Sequence, residues 1–325
     1  MREVFKQYLN YLKAERNASP YTLRNYRTDL IGTYKRGPGK GFFQFLKLKQ
    51  IGDFREVDKG VIRDYLGWLR EQGIDKVSLV RKLSAIRSFY RYLLAEGLLK
   101  TSPIPVNISG RKGNRSSLSP KLDKKLPVFL TEAEVKSLLD KPDLSKPEGL
   151  RDRALIEILY ASGLRVSEIW QLNLENINQE SREIRVIGKG AKERLTLMGL
   201  PAARALQNYM ASGRAELLNN RNNQAIFLNK RGQRLSIRGI QKMLKHYSKA
   251  AGILKEVHPH VLRHTFATHL LNGGADLRVV QELLGHADLS STQIYTHVTK
   301  QQARKVYLTT HPLAREEGAS NADSN

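Results

Sequence analysis

The chain contains no cysteine, and that absence removes several chemistries at once. Disulfide staples, thiolate zinc sites and a cysteine nucleophile are excluded, and the lack of cysteine agrees with a reducing compartment. Long apolar runs are missing too. No stretch approaches the roughly 18 consecutive apolar residues of a membrane span. The opening residues, MREVFKQYLNYLKAER, alternate charged with apolar side chains and lack both the apolar stretch and the cleavage site of a signal peptide, so a cytoplasmic location with no membrane partner is expected. Acidic residues are the third scarcity. Only 31 Asp and Glu stand against 55 Lys and Arg, a formal net charge of +24. Such an excess repels itself unless a polyanion is the usual partner, which makes nucleic acid the leading candidate.

What is present is enough for two folded domains. The chain has 325 residues, of which 40% are hydrophobic, sufficient for a core in each. In the first block Val4, Phe5, Tyr8, Leu9 and Leu12 recur at helical spacing. Ser19 and Pro20 offer a cap and a first-turn proline for a helix carrying Leu23, Tyr26 and Leu30. Further stripes run through Val61, Ile62, Tyr65, Leu66 and Leu69, and from Leu79 to Leu94. Between them, TYKRGPGKGFFQFLKLKQ (33–50) reads as a helix-breaking basic loop, either solvated or in contact with DNA. SGRKGNRSSLSPKLDKKLP (109–127) reads as a basic linker, suited to a clamp around a duplex and equally to a solvated tether.

The second block opens on TEAE, a capping-box pattern at Thr131–Glu134. An apolar helix at Ala154–Tyr160 leads to a turn through SGLRVSEIWQL, then EIRVIGKGAKERLTLM reads as two strands around a GKG turn. Helices are predicted over 202–210, 237–251, 260–271 and 277–284. The expected fold class is mostly α with a small antiparallel β-sheet: a helical domain at 1–108, the linker at 109–127, a mixed α/β domain at 128–312 and a polar tail at 313–325.

All eight histidines lie between His246 and His311. His260 and His264 have the i,i+4 spacing of a metal pair, but no zincin glutamate or cysteine accompanies them, so no metal is expected. Phosphate chemistry suits the region better. His260 and Arg263, three apart, share one helical face and can address the same oxygen atoms. A phosphodiester displacement needs cations on the nonbridging oxygens, an acid for the leaving oxygen and an in-line nucleophile. Arg165 adds a second guanidinium, Lys189 a proton donor at a hairpin tip, His286 a further hydrogen-bond donor and Tyr295 a hydroxyl nucleophile. Glu168 either orients Arg165 or lies on the surface. His258, His264, His269 and His297 are read as structural. Phe266, Leu270, Leu271, Val279, Val280, Leu283 and Leu284 are expected in the core.

SGLRVSEI around Arg165, VIGKGAKER around Lys189, HPHVLRHTFATHLL around His260 and Arg263, and LLGHADLSSTQIYTHV around His286 and Tyr295 together resemble the tyrosine recombinases, and among them the bacterial Xer proteins. The resemblance spans about 127–312 and assigns the family's six catalytic positions to Arg165, Lys189, His260, Arg263, His286 and Tyr295. It implies a helical core-binding domain before the catalytic domain, cleavage through a 3′-phosphotyrosyl intermediate without cofactor, and a Holliday junction. It further implies a specific recombination site in double-stranded DNA as substrate, with two duplexes held by a homotetramer or by a heterotetramer with a related recombinase, and a septal DNA translocase as a possible partner. Resolution of chromosome or plasmid dimers is the favoured role. Phage or mobile-element integration, type IB topoisomerase-like rejoining and DNA binding without cleavage are the alternatives. Val306, Tyr307 and Leu308 either dock on a neighbouring subunit, as in Xer relatives, or pack in cis.

The charge leads to a first prediction. Affinity for duplex DNA is expected to fall on the order of 10³-fold or more between about 50 and 200 mM salt, measured by fluorescence anisotropy, because each neutralised phosphate releases counterions. A flat salt dependence would contradict a phosphate-dominated interface.

Overall fold

In a computed structural model of the chain, the residues described are 2–32, 40–105, 118, 120, 127–188, 193–219, 221–285 and 300–314. The chain divides into two compact units, Met1–Lys125 and Leu126–Asn325. Among the described residues no helix is long and apolar enough to cross a membrane.

The first unit is helical: α1 (Arg2–Ala14), α2 (Pro20–Leu30), α3 (Phe42–Leu48), α4 (Lys59–Glu71) and α5 (Lys76–Ala95). Helix starts follow capping chemistry. The Ser19 hydroxyl accepts the Thr22 N–H, Asp58 the Val61 N–H and Asp75 the Ser78 N–H, each satisfying a donor that the first turn leaves unpaired. The core is rich in aromatic rings, with Tyr8, Phe42, Tyr65 and Phe89 fully buried. Helix α3 corrects the expectation of a helix-free loop over 33–50. Its FFQFLKL sequence places Phe42, Phe45 and Leu46 on one face at i, i+3 and i+4, and all three are buried, so apolar burial overrides the neighbouring glycines. Lys40, which leads into α3, is fastened through its carbonyl by the buried Lys82 ammonium (2.7 Å) and the Tyr65 hydroxyl (3.1 Å). Burial lowers the Lys82 pKa, against the opposing pull of Asp29, which also pairs with Arg81. Within the stretch read as a linker, Leu118 is buried against this core.

The second unit begins with α6 (Glu132–Leu139), where Thr131 and Glu134 form the expected capping box. Next comes α7 (Pro147–Ser162), buried on every side between Ala154 and Ser162 and therefore the central helix of the unit. A short helix, α8 (Val166–Gln171), occupies what the sequence suggested was only a turn. The sheet is antiparallel in the order β1 (Ile177–Asn178), β2 (Glu183–Ile187), β3 (Glu193–Leu197), with Ile184 opposite Thr196 and Ile187 opposite Glu193. Ile184, Val186 and Thr196 face the core, while Arg185, Ile187 and Leu195 face out. Helix α9 (Leu200–Asn208) runs through one π-helical turn, Tyr209–Gly213, into α10 (Arg214–Leu218).

Helices α11 (Ile237–Ala250), α12 (Pro259–Asn272), α13 (Leu277–Leu284) and α14 (Lys300–Thr310) complete the described chain. Phe266, Leu270, Val279, Val280, Leu283, Leu284 and Tyr307 form a second core cluster of this unit among α12, α13 and α14. Tyr307 is thus buried in cis. Leu271, expected in the core, is instead 40% exposed. A helix turns about 100° per residue, so when Leu270 faces inward its neighbour cannot.

Gly163 closes α7 in the left-handed conformation, at φ +59°, and a Cβ there would stand 2.5 Å from the Phe266 ring and 2.9 Å from Leu284. Gly163→Ala is expected to destabilise this unit by about 2 kcal/mol or more, combining the backbone penalty with overpacking. Urea unfolding measures it, and an unchanged midpoint would refute the close contact.

Candidate active site

Three of the six candidate residues fall within the described chain, on two elements. Arg165 is the N-cap of α8, immediately after the turn that ends α7. His260 and Arg263 lie one turn apart near the start of α12, which is capped by His258 and opened by Pro259. Lys189, His286 and Tyr295 lie outside the described residues. Their chain neighbours do not: Gly188 ends the outgoing arm of the β2–β3 hairpin, and Gly285 ends α13 just ahead of His286.

The Arg263 side chain is buried, and its guanidinium spans two helix ends. One terminal nitrogen donates to the Gly163 carbonyl (2.6 Å) and the other to the Leu284 carbonyl (2.7 Å). Both carbonyls sit at C-termini, where the backbone leaves acceptors unpaired and the helix dipole is negative. The same guanidinium therefore ties the end of α7 to the end of α13. Burial, then the positive charge of Arg165 and also that of Arg194, pull its pKa down to about 10 against the opposing influence of Glu168, still high enough to keep it charged at neutral pH.

Arg165 is held by the carboxylate three residues on. Its Nη1 donates to Glu168 Oε1 (2.8 Å), and its backbone N–H donates to Glu168 Oε2 (2.8 Å). About a third of its side chain stays open to solvent. Of the two readings of Glu168, the surface one is excluded, since the residue is only 5% exposed. A second guanidinium, Arg194 on β3, grips the same carboxylate with both terminal nitrogens, at 2.9 and 3.0 Å. Burial raises the Glu168 pKa, but the Arg194 hydrogen bonds, the Arg165 backbone N–H and the two positive charges outweigh it and hold the carboxyl at about 2. Three guanidinium groups against one carboxylate leave the site net positive.

His260 keeps an open face, and its pKa lies below the ordinary histidine value. Partial desolvation is the main cause, followed by the charges of His258, Arg263 and Arg165. The neutral imidazole is therefore favoured, a form that can accept a proton. That Arg165 and Arg263 both act on His260 brings all three described candidates into one electrostatic neighbourhood.

The remaining histidines have other surroundings. His264 meets the Phe129 ring edge-on, at 6.4 Å between centroids. His269 is buried with Nδ1 2.8 Å from the Tyr160 hydroxyl, and His311 is buried and stacked on Tyr307. Among the described residues no three His, Asp or Glu side chains gather as a metal site.

Two features escaped the sequence reading. One is Arg194, whose only trace is its position in KER on the returning strand. The other is α11, where Arg238, Lys242, Lys245 and Lys249 recur once per turn on an exposed face and no acidic residue interrupts them. That spacing was visible beforehand. A cationic stripe of this kind matches a phosphate backbone.

The Glu168 pKa generates a stability prediction. A carboxyl held at about 2 in the folded chain, against an ordinary value of 4.5, stabilises the fold above about pH 4.5, and the contribution is lost as pH falls towards 2. Its size is about 3 kcal/mol. The stability advantage of wild type over Glu168→Gln is expected to shrink across that window in urea unfolding, and a pH-independent difference would contradict the assignment.

Known proteins now bear on the site. Residues 128–302 match the phage integrase family, and residues 5–97 match the phage integrase N-terminal SAM-like domain. The chain is 45% identical to tyrosine recombinase XerC of Pelotomaculum thermopropionicum, with 95% of this chain and 97% of that one covered. It is 42% identical to tyrosine recombinase XerD of Staphylococcus epidermidis, with 97% and 100% covered. Among solved structures, a XerH site-specific recombinase bound to palindromic difH substrate shares the fold, with a TM-score of 0.63 at 24% identity over 98% of this chain and 85% of that one. With near-complete coverage at such identity, the chain belongs to the phage integrase family, as a tyrosine recombinase of the Xer type.

Proposed function

We propose that this chain is a site-specific DNA recombinase that exchanges strands between two duplexes through a 3′-phosphotyrosyl intermediate and a Holliday junction. Its role in this reading is Xer-type resolution of chromosome or plasmid dimers. The observation that carries the proposal is the cluster of Arg165, Arg263 and His260 beside Arg194: a buried cation, a partly exposed one and a proton acceptor held together, with burial first and neighbouring like charges second depressing the Arg263 and His260 pKa values. A phosphodiester placed there relieves that repulsion. The stabilisation is greatest when charge grows on the nonbridging oxygens in the pentacoordinate transition state, because the donors are already oriented.

Each candidate residue takes one part of the displacement. The Tyr295 hydroxyl oxygen bonds to phosphorus as the bond from phosphorus to the 5′ oxygen breaks. His260 accepts the tyrosine proton, and Lys189 supplies a proton to the departing 5′ oxygen. Arg165 and Arg263 hold the nonbridging oxygens, with His286 as a further donor. The product is a phosphodiester, so bond energy is conserved and neither ATP nor a metal is called for. A phenol of reference pKa about 10 is a better leaving group than an alkoxide, so an incoming 5′ hydroxyl displaces it readily.

The arrangement of the chain suits that task. A basic helical domain at 1–108 and the catalytic domain at 128–312, joined by the linker at 109–127, each offer cationic side chains to a duplex, with the α11 stripe as one phosphate contact of the catalytic domain. Four such chains, identical or paired with a related recombinase, act on two copies of a specific site in the cytoplasm, with a septal DNA translocase as a candidate regulator. The relatives named XerC and XerD support this assignment over integration.

The test is a nicked suicide duplex carrying a candidate chromosomal recombination site, incubated without metal or ATP. Wild type is expected to form a covalent adduct that survives denaturation, and Tyr295→Phe none. Replacing Arg165 or Arg263 by Ala should slow adduct formation on the order of 10²-fold or more. Strand exchange among the products separates recombination from swivelling and rejoining, and tight binding without any adduct would leave only a DNA-binding role.

A further inference from the structure

We infer that Arg194 is a positioning residue for the cleavage step: by clamping Glu168 it aims Arg165 and leaves the Arg165 charge available to the scissile phosphate. The inference rests on the proposed role of Arg165. It adds to that role a residue on a different element, the strand that returns from the Lys189 hairpin.

The geometry is specific. Both terminal nitrogens of Arg194 lie on the two oxygens of Glu168, and one of those oxygens, Oε1, is shared with Arg165 Nη1. Arg165 makes only that one side-chain bond to the carboxylate, whereas Arg194 makes two, so Arg194 is the main counter-ion. Without it, Arg165 would be the cation left to neutralise a buried carboxylate. Its fork would then turn inward to Glu168, and its charge would be spent on that buried carboxylate. With Arg194 in place, Arg165 is held at one nitrogen and keeps the rest of its fork for a second anion.

The surroundings fit a dedicated site. Gly285, in the left-handed conformation at φ +64°, leaves the space that Arg194 fills: a Cβ there would stand 2.8 Å from both Arg194 Cδ and Nε. The Arg194 Nε is buried and has no hydrogen-bond partner among the described residues, so the side chain is held by its two-pronged grip on Glu168. Lysine cannot reproduce that grip, since an ammonium presents a point charge and not a planar fork. Arg194 is thus the place where the start of α8, the returning strand and the end of α13 meet.

The experiment compares Arg194→Lys with wild type on two suicide duplexes. One carries the natural scissile phosphate. In the other, a methyl group replaces one nonbridging oxygen, which removes the negative charge that Arg165 is proposed to meet. On the natural substrate Arg194→Lys is expected to slow single-turnover adduct formation about 30-fold, with DNA affinity unchanged within about two-fold. On the methylphosphonate the deficit relative to wild type should fall to about three-fold or less, because a neutral phosphoryl group depends less on an aimed guanidinium. The double variant Glu168→Gln/Arg194→Gln leaves no buried charge unpaired, so it addresses a folding defect of the single variant, and with no carboxylate left to draw the Arg165 fork inward it should recover most of the rate on the natural substrate.

Equal deficits on both substrates, as a general loss of structure would give, would overturn the inference. So would a variant that cleaves the natural phosphate at the wild-type rate. Wild type and Arg165→Ala run alongside as controls. Absence of a wild-type adduct, or an unimpaired Arg165→Ala, would sink the recombinase reading and this inference with it. Controls that behave as expected, with no substrate-dependent deficit at Arg194, would sink the inference alone.

Discussion

A carboxylate cannot remain charged in a protein interior without compensating donors, and the catalytic unit is arranged around that constraint at Glu168. The residue is almost fully buried, yet its carboxyl is held at about 2. Satisfying it requires one guanidinium from the start of α8 and another from β3, which forces the sheet against the turn that ends α7. Arg263 imposes a matching constraint from the opposite charge. Its donors reach carbonyls at the ends of α7 and α13, so three helices must converge for one buried cation to be satisfied. Between them, the two charged groups define where Arg165, His260 and Arg263 can lie. Apolar packing is non-directional and could not do so alone.

The same constraint explains why the site is a poor resting place for cations and a good one for an anion. Bringing Arg165, Arg194 and Arg263 together costs Coulomb energy that Glu168 only partly offsets, and the Arg263 and His260 pKa values are depressed by burial first and by these neighbouring charges second. That unrelieved repulsion is a form of preorganisation. The donors are fixed by folding, so in the proposed displacement little reorganisation would be left for the moment when charge develops on a phosphoryl oxygen. On a larger scale, a net charge of +24 attracts a duplex without distinguishing one sequence from another.

Local chemistry was the most legible part of the fold. Caps at Ser19 and Thr131, apolar stripes in α1, α4, α5 and α13, and the two paired strands on either side of GKG depend on neighbours close in sequence, and these elements stand where their signals lie. Non-local features left weaker traces. Helix α3 sits beside glycines and is made by its burial, β1 has only two residues, and the π turn after α9 has no compositional mark. The site divides in the same way. That His260 and Arg263 share a face follows from their spacing, but nothing local joins Arg165 to residues about a hundred positions later. The chemical need for a second guanidinium and the resemblance to a family suggested that. Glu168 was ambiguous because its burial depends on Arg194, whose sequence context is one more basic residue in a basic chain.

The C-terminal segment follows from similar physics. Tyr307 is buried against Phe266 and stacked on His311, and Ala314 closes the same cluster, so this face of α14 is already satisfied within its own chain. Docking of these same residues on a neighbouring subunit would therefore exchange one buried environment for another and would not add burial. Such an exchange is close to neutral in apolar area, since what is exposed at home must be covered elsewhere. The bias between the two states then passes to whatever fixes the neighbours at short distance. For a chain with this excess of positive charge, adjacent binding sites on one duplex would serve, since they would raise the effective concentration of one subunit beside another. Assembly by exchange would in this way be tied to occupancy of the DNA and suppressed away from it.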